Sequence, residues 1–135
     1  MNKQFFISLL FALLTFVILG GLFGNFVFLP EFATWHEAYP DAVRETPDFV
    51  SGFVLGLLQL IAFVVLLPKL QITSGSGAAM FGAVYSVVIW LIVDLQMVSV
   101  TNIVSYEYVL KDALLSAVMG AILGVVVSWS QRRFA

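Results

Sequence analysis

The sequence predicts an all-α membrane protein, a compact bundle of four transmembrane helices in a single domain spanning residues 1–135. Three observations carry that prediction. Hydrophobic residues make up 61 % of the 135-residue chain and charged residues only 10 %, against roughly 25 % charged in a soluble domain; lipid is the solvent that suits such a composition. Four apolar runs, at about 5–29, 49–67, 78–100 and 109–129, each come near the ~20 residues that an α-helix needs to cross a ~30 Å hydrocarbon layer. None of them alternates with the two-residue period of a membrane β-strand, and a helix pairs its own backbone groups where no water is present to do so.

The first run, Phe5 to Leu29, follows Lys3 and so invites comparison with a signal peptide. At about 25 residues it exceeds a 7–15-residue signal core, and it ends in Gly24-Asn25-Phe26 without a small-x-small cleavage site; the expectation is a retained span. Pro30 is expected to close it. From Glu31 to Tyr39, the residues Phe32, Trp35, His36 and Tyr39 fall on one side of a possible interfacial helix, a level that suits Trp and Tyr; an irregular loop with scattered aromatics is the competing reading. Thr46 and Pro47 fit an N-cap followed by proline at the first helical position of the second span, and Pro68 is expected to close that span. Thr73-Ser74-Gly75-Ser76-Gly77 reads as a short flexible turn. Ser105 is a plausible cap for an early start of the fourth helix.

Four spans put both termini on one side. Lys3, Lys69, Arg132 and Arg133 lie with the termini and the second connection, whereas Arg44 and Lys111 lie opposite. The positive-inside rule then places both termini in the cytoplasm, with the acidic first loop outside.

Every span carries small residues four apart: Gly20 and Gly24, Gly52 and Gly56, Ala78, Gly82 and Ser86, and Ser116, Gly120 and Gly124. Such spacing lets backbones approach closely in lipid, where no hydrophobic drive holds helices together. Glycine is also simply frequent in membrane spans, but its recurrence in all four favours tight packing, with spare faces for a homo-oligomer or a partner membrane protein.

Asp94 is the most informative residue, because it stands inside the third apolar run. A carboxylate there costs ~2.5–3.5 kcal/mol on insertion scales and must face the bundle or water. It lies roughly 10 Å from the nearer helix end at 1.5 Å per residue. Gln59, Asn25 and Lys111 are its candidate neighbours from the other three spans, forming a polar cluster in the outer half; Tyr85 belongs nearer the inner half. Asp94 either pairs with Lys111 or Gln59 to fix helix register, or binds a proton, cation or polar ligand, or meets a partner protein. The first two spans offer almost no polar groups in the inner half, which argues against a full channel in one chain. Glu107 and Lys111 are also spaced for a helical ion pair.

The lone His36, beside Trp35 in the outer loop, has no partner at metal-ligand spacing and reads as interfacial packing; Arg44 is a candidate for a salt bridge across that loop. With no cysteine, phosphate-binding loop, dinucleotide fingerprint or zinc-protease motif, the expectation is no enzyme, no cofactor and no metal site. Scattered basic residues and a net charge of −2 speak against nucleic acid; membrane lipid is the expected surrounding.

Four segments carry a family resemblance: Leu22-Phe23-Gly24, Ala38-Tyr39-Pro40-Asp41-Ala42-Val43-Arg44, Phe81-Gly82-Ala83-Val84-Tyr85 and the stretch from Gly120 to Gly124. Through them the chain resembles a loosely defined group of small, uncharacterised bacterial four-helix integral membrane proteins. That group carries an Arg-Pro-Glu-like step before its second helix, whereas here the order is Arg44-Glu45-Thr46-Pro47. Asp94 followed by Thr101-Asn102 also resembles a second four-helix family. The resemblance implies the architecture and a bacterial inner membrane, and no mechanism. The resulting expectation is a structural or accessory membrane protein, oligomeric or a subunit of a larger assembly; the alternative is a small transporter or binding protein for an ion or polar solute centred on Asp94.

Overall fold

The first span does not stop at Pro30. In the computed structural model, which describes residues 3–135, α1 (Lys3–Phe23) runs through a π-helical turn (Gly24–Phe28) into α2 (Leu29–Ala38) as one 36-residue rod. Proline lacks an N–H and its ring presses on the carbonyl four residues earlier. The wider π turn, in which the Leu29 N–H reaches back to Gly24 O, absorbs this misfit, so Pro30 sits in the first turn of α2 instead of ending a helix. The rod stops at Tyr39, which leaves helical geometry (φ −138°, ψ 63°) because Pro40 follows it. The piece from Glu31 to Ala38 is therefore helical, as one of the two readings had it.

Three further spans follow: α3 (Phe49–Lys69), α4 (Gly75–Val100) and α5 (Tyr106–Arg133). Together with the rod they give an all-α protein with four helices long and apolar enough to cross a membrane. Thr46 does not cap α3. Asp48 does, accepting from the Val50 and Ser51 amides at 3.1 and 3.3 Å and from the Ser51 hydroxyl at 2.8 Å; these donors hold its carboxyl below the usual aspartate range, the Ser51 hydroxyl foremost. A carboxylate two residues past Thr46 reaches the free amides of the first turn more directly, and the start shifts accordingly. Pro68 lies in the last turn of α3 rather than ending it. The exit is a left-handed cap at Gln71 (φ 56°), with Gln71 N bonded to Pro68 O and Ile72 N to Leu67 O, the double closure of a Schellman motif. The Ser-Gly-rich stretch is mostly helix as well, with Ser74 accepting from Gly77 N at 3.0 Å. Ser105 caps α5 as expected, accepting from Tyr108 N at 3.1 Å.

α4 and α5 form a tight antiparallel hairpin. A methyl group added at Gly82 would collide with the Gly120 carbonyl, one at Gly120 with the Gly82 carbonyl, and one at Gly124 with the Ala78 carbonyl. α1 lies along α5 and also carries α3, which attaches through its second half: Leu60, Phe63, Val64 and Leu67 are buried with Ala12, Leu123 and Val127. The first two turns of α3 stay uncovered by protein, from Phe49 at 66 % and Val50 at 75 % exposed to Leu55 at 49 %. The glycine pairs therefore divide. Gly82, Gly120 and Gly124 pack backbone to backbone, Gly56 receives the Phe16 ring, and Gly20, Gly24 and Gly52 face open space. These last three depart from the expected packing role because α3 leaves the bundle above Gly56.

Gly120→Leu should lower stability by about 1–3 kcal/mol or more through overpacking, whereas Gly20→Ala should be neutral or stabilising by up to ~1 kcal/mol. Unfolding in mild detergent, followed by circular dichroism, checks the contrast.

Candidate functional site

The hairpin packing aligns two stripes of four-residue spacing. On α4 the stripe is Ala78, Gly82, Ser86, Trp90 and Asp94; on α5 it is Tyr108, Asp112, Ser116, Gly120 and Gly124. Because Gly82 lies on Gly120 and Ala78 on Gly124, the antiparallel register carries Asp94 to the turn of α5 that holds Tyr108 and Asp112. Their carboxyl groups lie close enough to act on one another electrostatically. Both residues are deeply buried, at 5 % and 4 % exposed. Asp94 Oδ2 is enclosed and meets no N–H or hydroxyl donor, while Asp112 Oδ1 accepts from the Ser116 hydroxyl at 3.2 Å. Two like charges enclosed this closely repel one another, and a proton bound by either carboxyl would relieve that repulsion.

An aromatic lid closes the loop end. Phe28, Phe32 and Trp35 follow one another along the rod, with ring centroids 6.4 and 5.1 Å apart, and Trp35 meets Tyr108 edge-on at 4.7 Å. Val104, Tyr108 and Val109 form a buried cluster beneath them. The lid is held by an ion pair between Lys111 Nζ and Glu31 at 2.9 Å, and by Tyr39 donating to Asn102 O at 3.0 Å across the two loops.

The expected four-residue cluster does not assemble. Lys111 sits one position from Asp112, hence ~100° around the helix, and turns to Glu31 instead of Asp94 or Glu107. Asn25 donates to Gly21 O of its own helix at 2.8 Å and is exposed. Gln59 faces a small cavity of about 30 Å³ whose polar lining also includes Thr15, Ser86 and Ser116; its Oε1 is buried and without a partner. Tyr85 donates to the Gln59 carbonyl at 3.1 Å. His36 ties the loop down through Nδ1 and Val43 O at 2.7 Å, a packing role. Arg44 is exposed, and among the described residues Lys111–Glu31 is the one ion pair.

Asp112 escaped the sequence reading, which looked for a positive partner and stopped at Lys111. The signal was present, since Asp112 continues the Ser116, Gly120, Gly124 spacing and Lys111 does not. The far end is also more polar than expected. There the buried Ser130 hydroxyl donates to Ser8 Oγ at 3.0 Å, Gln131 donates to Val64 O at 3.0 Å, and Gln4 donates to Gln131 O at 2.6 Å. These bonds tie α1, α3 and α5 together, and the apolar layer of Leu60, Phe63, Leu123 and Val127 separates them from the carboxyl pair. Among the described residues no group of three His, Cys, Asp or Glu is arranged to hold a metal.

Comparison with family models, curated proteins and solved structures gave no match, so the likeness to small bacterial membrane proteins goes no further than a four-helix, membrane-spanning bundle.

Charge reversal tests the lid. With Thr34→Cys and Leu115→Cys in this cysteine-free chain, disulfide formation should slow several-fold in Glu31→Lys or Lys111→Glu and recover in the double reversal. Equal rates in all four forms would remove the ion pair from the account of lid docking.

Proposed function

We propose that this integral membrane protein binds a proton between Asp94 and Asp112, and so belongs to the class of small binding or transport proteins for an ion. The observation that carries the reading is that two deeply buried acids face each other while Lys111, next to Asp112 in the sequence, is engaged by Glu31. Each unpaired carboxylate would cost ~2.5–3.5 kcal/mol at membrane depth. A purely architectural link between α4 and α5 would be met at lower cost by neutral side chains, such as the Ser8 and Ser130 hydroxyls that link α1 to α5 at the other end. In this reading the termini face the cytoplasm of a bacterial inner membrane, following Lys3, Lys69, Arg132 and Arg133, and the pair lies in the outer half beneath the lid. Infrared spectroscopy of the reconstituted protein at neutral pH tests it. The wild type should show the carbonyl stretch of a protonated carboxylic acid, and both Asp94→Asn and Asp112→Asn should abolish or shift it. A wild type lacking that band overturns the reading.

A second reading, an accessory subunit or oligomer, draws on the uncovered first two turns of α3, where Phe49, Val50 and Phe53 face outward beside the open Gly52. It expects a defined oligomer or a stoichiometric partner in native mass spectrometry, lost in Gly52→Leu. A monomer in both forms, with no copurifying protein, counts against it.

A further inference from the structure

We infer that the cavity beside Gln59 is a water site, and that this water extends the Asp94–Asp112 pair into a hydrogen-bond chain reaching the middle of the membrane. Three independent observations meet there. The cavity, about 30 Å³, exceeds the ~10–15 Å³ that one water requires. Gln59 Oε1 is buried with no donor, and a buried acceptor left unsatisfied costs about 1–3 kcal/mol, so a water donating to it relieves a real deficit. Ser116 lines the cavity and also donates to Asp112 Oδ1 at 3.2 Å, which makes it the joint between the water and the acids. Thr15 and Ser86 border the same space. The Thr15 hydroxyl proton is committed to Phe11 O at 2.8 Å, leaving its lone pairs to accept from water. A bound water thus finds the two to four polar partners that such sites offer.

The chain has a direction. A proton arriving on the water passes to Ser116 Oγ, while the hydroxyl's own proton passes along the existing bond to Asp112. The serine and the water regain their starting proton counts, and the pair gains one proton. The cavity is partly open beside Thr15, Leu19 and Trp90, and protons exchange with outside water through that opening; beyond Gln59 the buried layer of Leu60, Phe63 and Leu123 offers no further step, so the relay feeds the pair without crossing the membrane.

This inference rests on the proton-binding reading, and one experiment separates the two. The protein is reconstituted, transferred to D2O, and the carboxylic acid band followed in time. Both Gln59→Leu, which replaces the orphan amide with an apolar side chain of similar bulk, and Ser116→Ala, which removes the joint, should slow the exchange of that band by about tenfold; Gln59→Leu should leave the band itself in place, and Ser116→Ala should shift it by removing a hydrogen bond to Asp112. A water stretch sensitive to 18O labelling should be present in the wild type and absent in Gln59→Leu. A carboxyl band whose exchange rate is unchanged in both variants overturns the relay alone. A wild type without the band overturns the proton-binding reading and the relay with it.

Discussion

The closest approach in the molecule is between backbones. At the crossing of α4 and α5, the carbonyls of Ala78, Gly82 and Gly120 occupy the space where side chains would otherwise stand. In lipid, apolar side chains gain little from leaving the solvent, and close packing together with interhelical hydrogen bonds supplies the attraction. Everything at the loop end inherits its position from this contact. Shifting either helix by one residue would turn Asp94 about 100° away from Asp112 and leave each acid facing lipid or a neighbouring apolar side chain. The glycines act as the ruler and the carboxyl pair as the thing measured.

The rest of the structure is graded away from that hairpin. α1 joins through modest side chains such as Ala12 and Ser8, both fully buried, and through the serine and glutamine bonds at the terminal end. α3 joins last, held by α1 and by half its own length. The lid formed by α2 depends on the hairpin for a surface to rest on, because Trp35 packs on Tyr108 and Glu31 meets Lys111, both on α5. Burial of the acids is therefore a joint result of two unlike interactions, the dry backbone contact below them and an aromatic and ionic cover above.

The number of spans, their class and most of their extent were legible in the sequence, because twenty apolar residues in a row have few other solutions. The caps were legible where one side chain decides the matter, as at Ser105. They were not where two candidates compete, as between Thr46 and Asp48. Pro30 misled because a proline ends a helix only if the ladder cannot widen around it, and whether it can depends on the turn that precedes it. The site was half legible. Asp94 stood out as a lone acid among apolar neighbours, but Asp112, beside Lys111 and Glu107, looked like part of an ordinary charged helix end. Recognising it required knowing which face of α5 meets α4, and that follows from contact between backbones, which the residue types mark only as a spacing shared by several helices. The same spacing at Gly20, Gly24 and Gly52 marks no contact within the chain.

The spans also differ in length. α3 has 21 residues, whereas α4 and α5 have 26 and 28, or about 32 Å against 39 and 42 Å at 1.5 Å per residue. No flat bilayer of one thickness matches them all upright. A ~30 Å hydrocarbon layer fits α3 nearly perpendicular and asks the hairpin to tilt, or its ends to stand in the headgroups. The extra length of α5 is polar, with Glu107 and Lys111 at one end and Gln131, Arg132 and Arg133 at the other, so the hairpin reaches into the headgroups on both sides while α3 ends nearer the hydrocarbon. A thicker hydrocarbon layer is therefore met by the hairpin out of length it already has, whereas α3, with 21 residues, has little to spare.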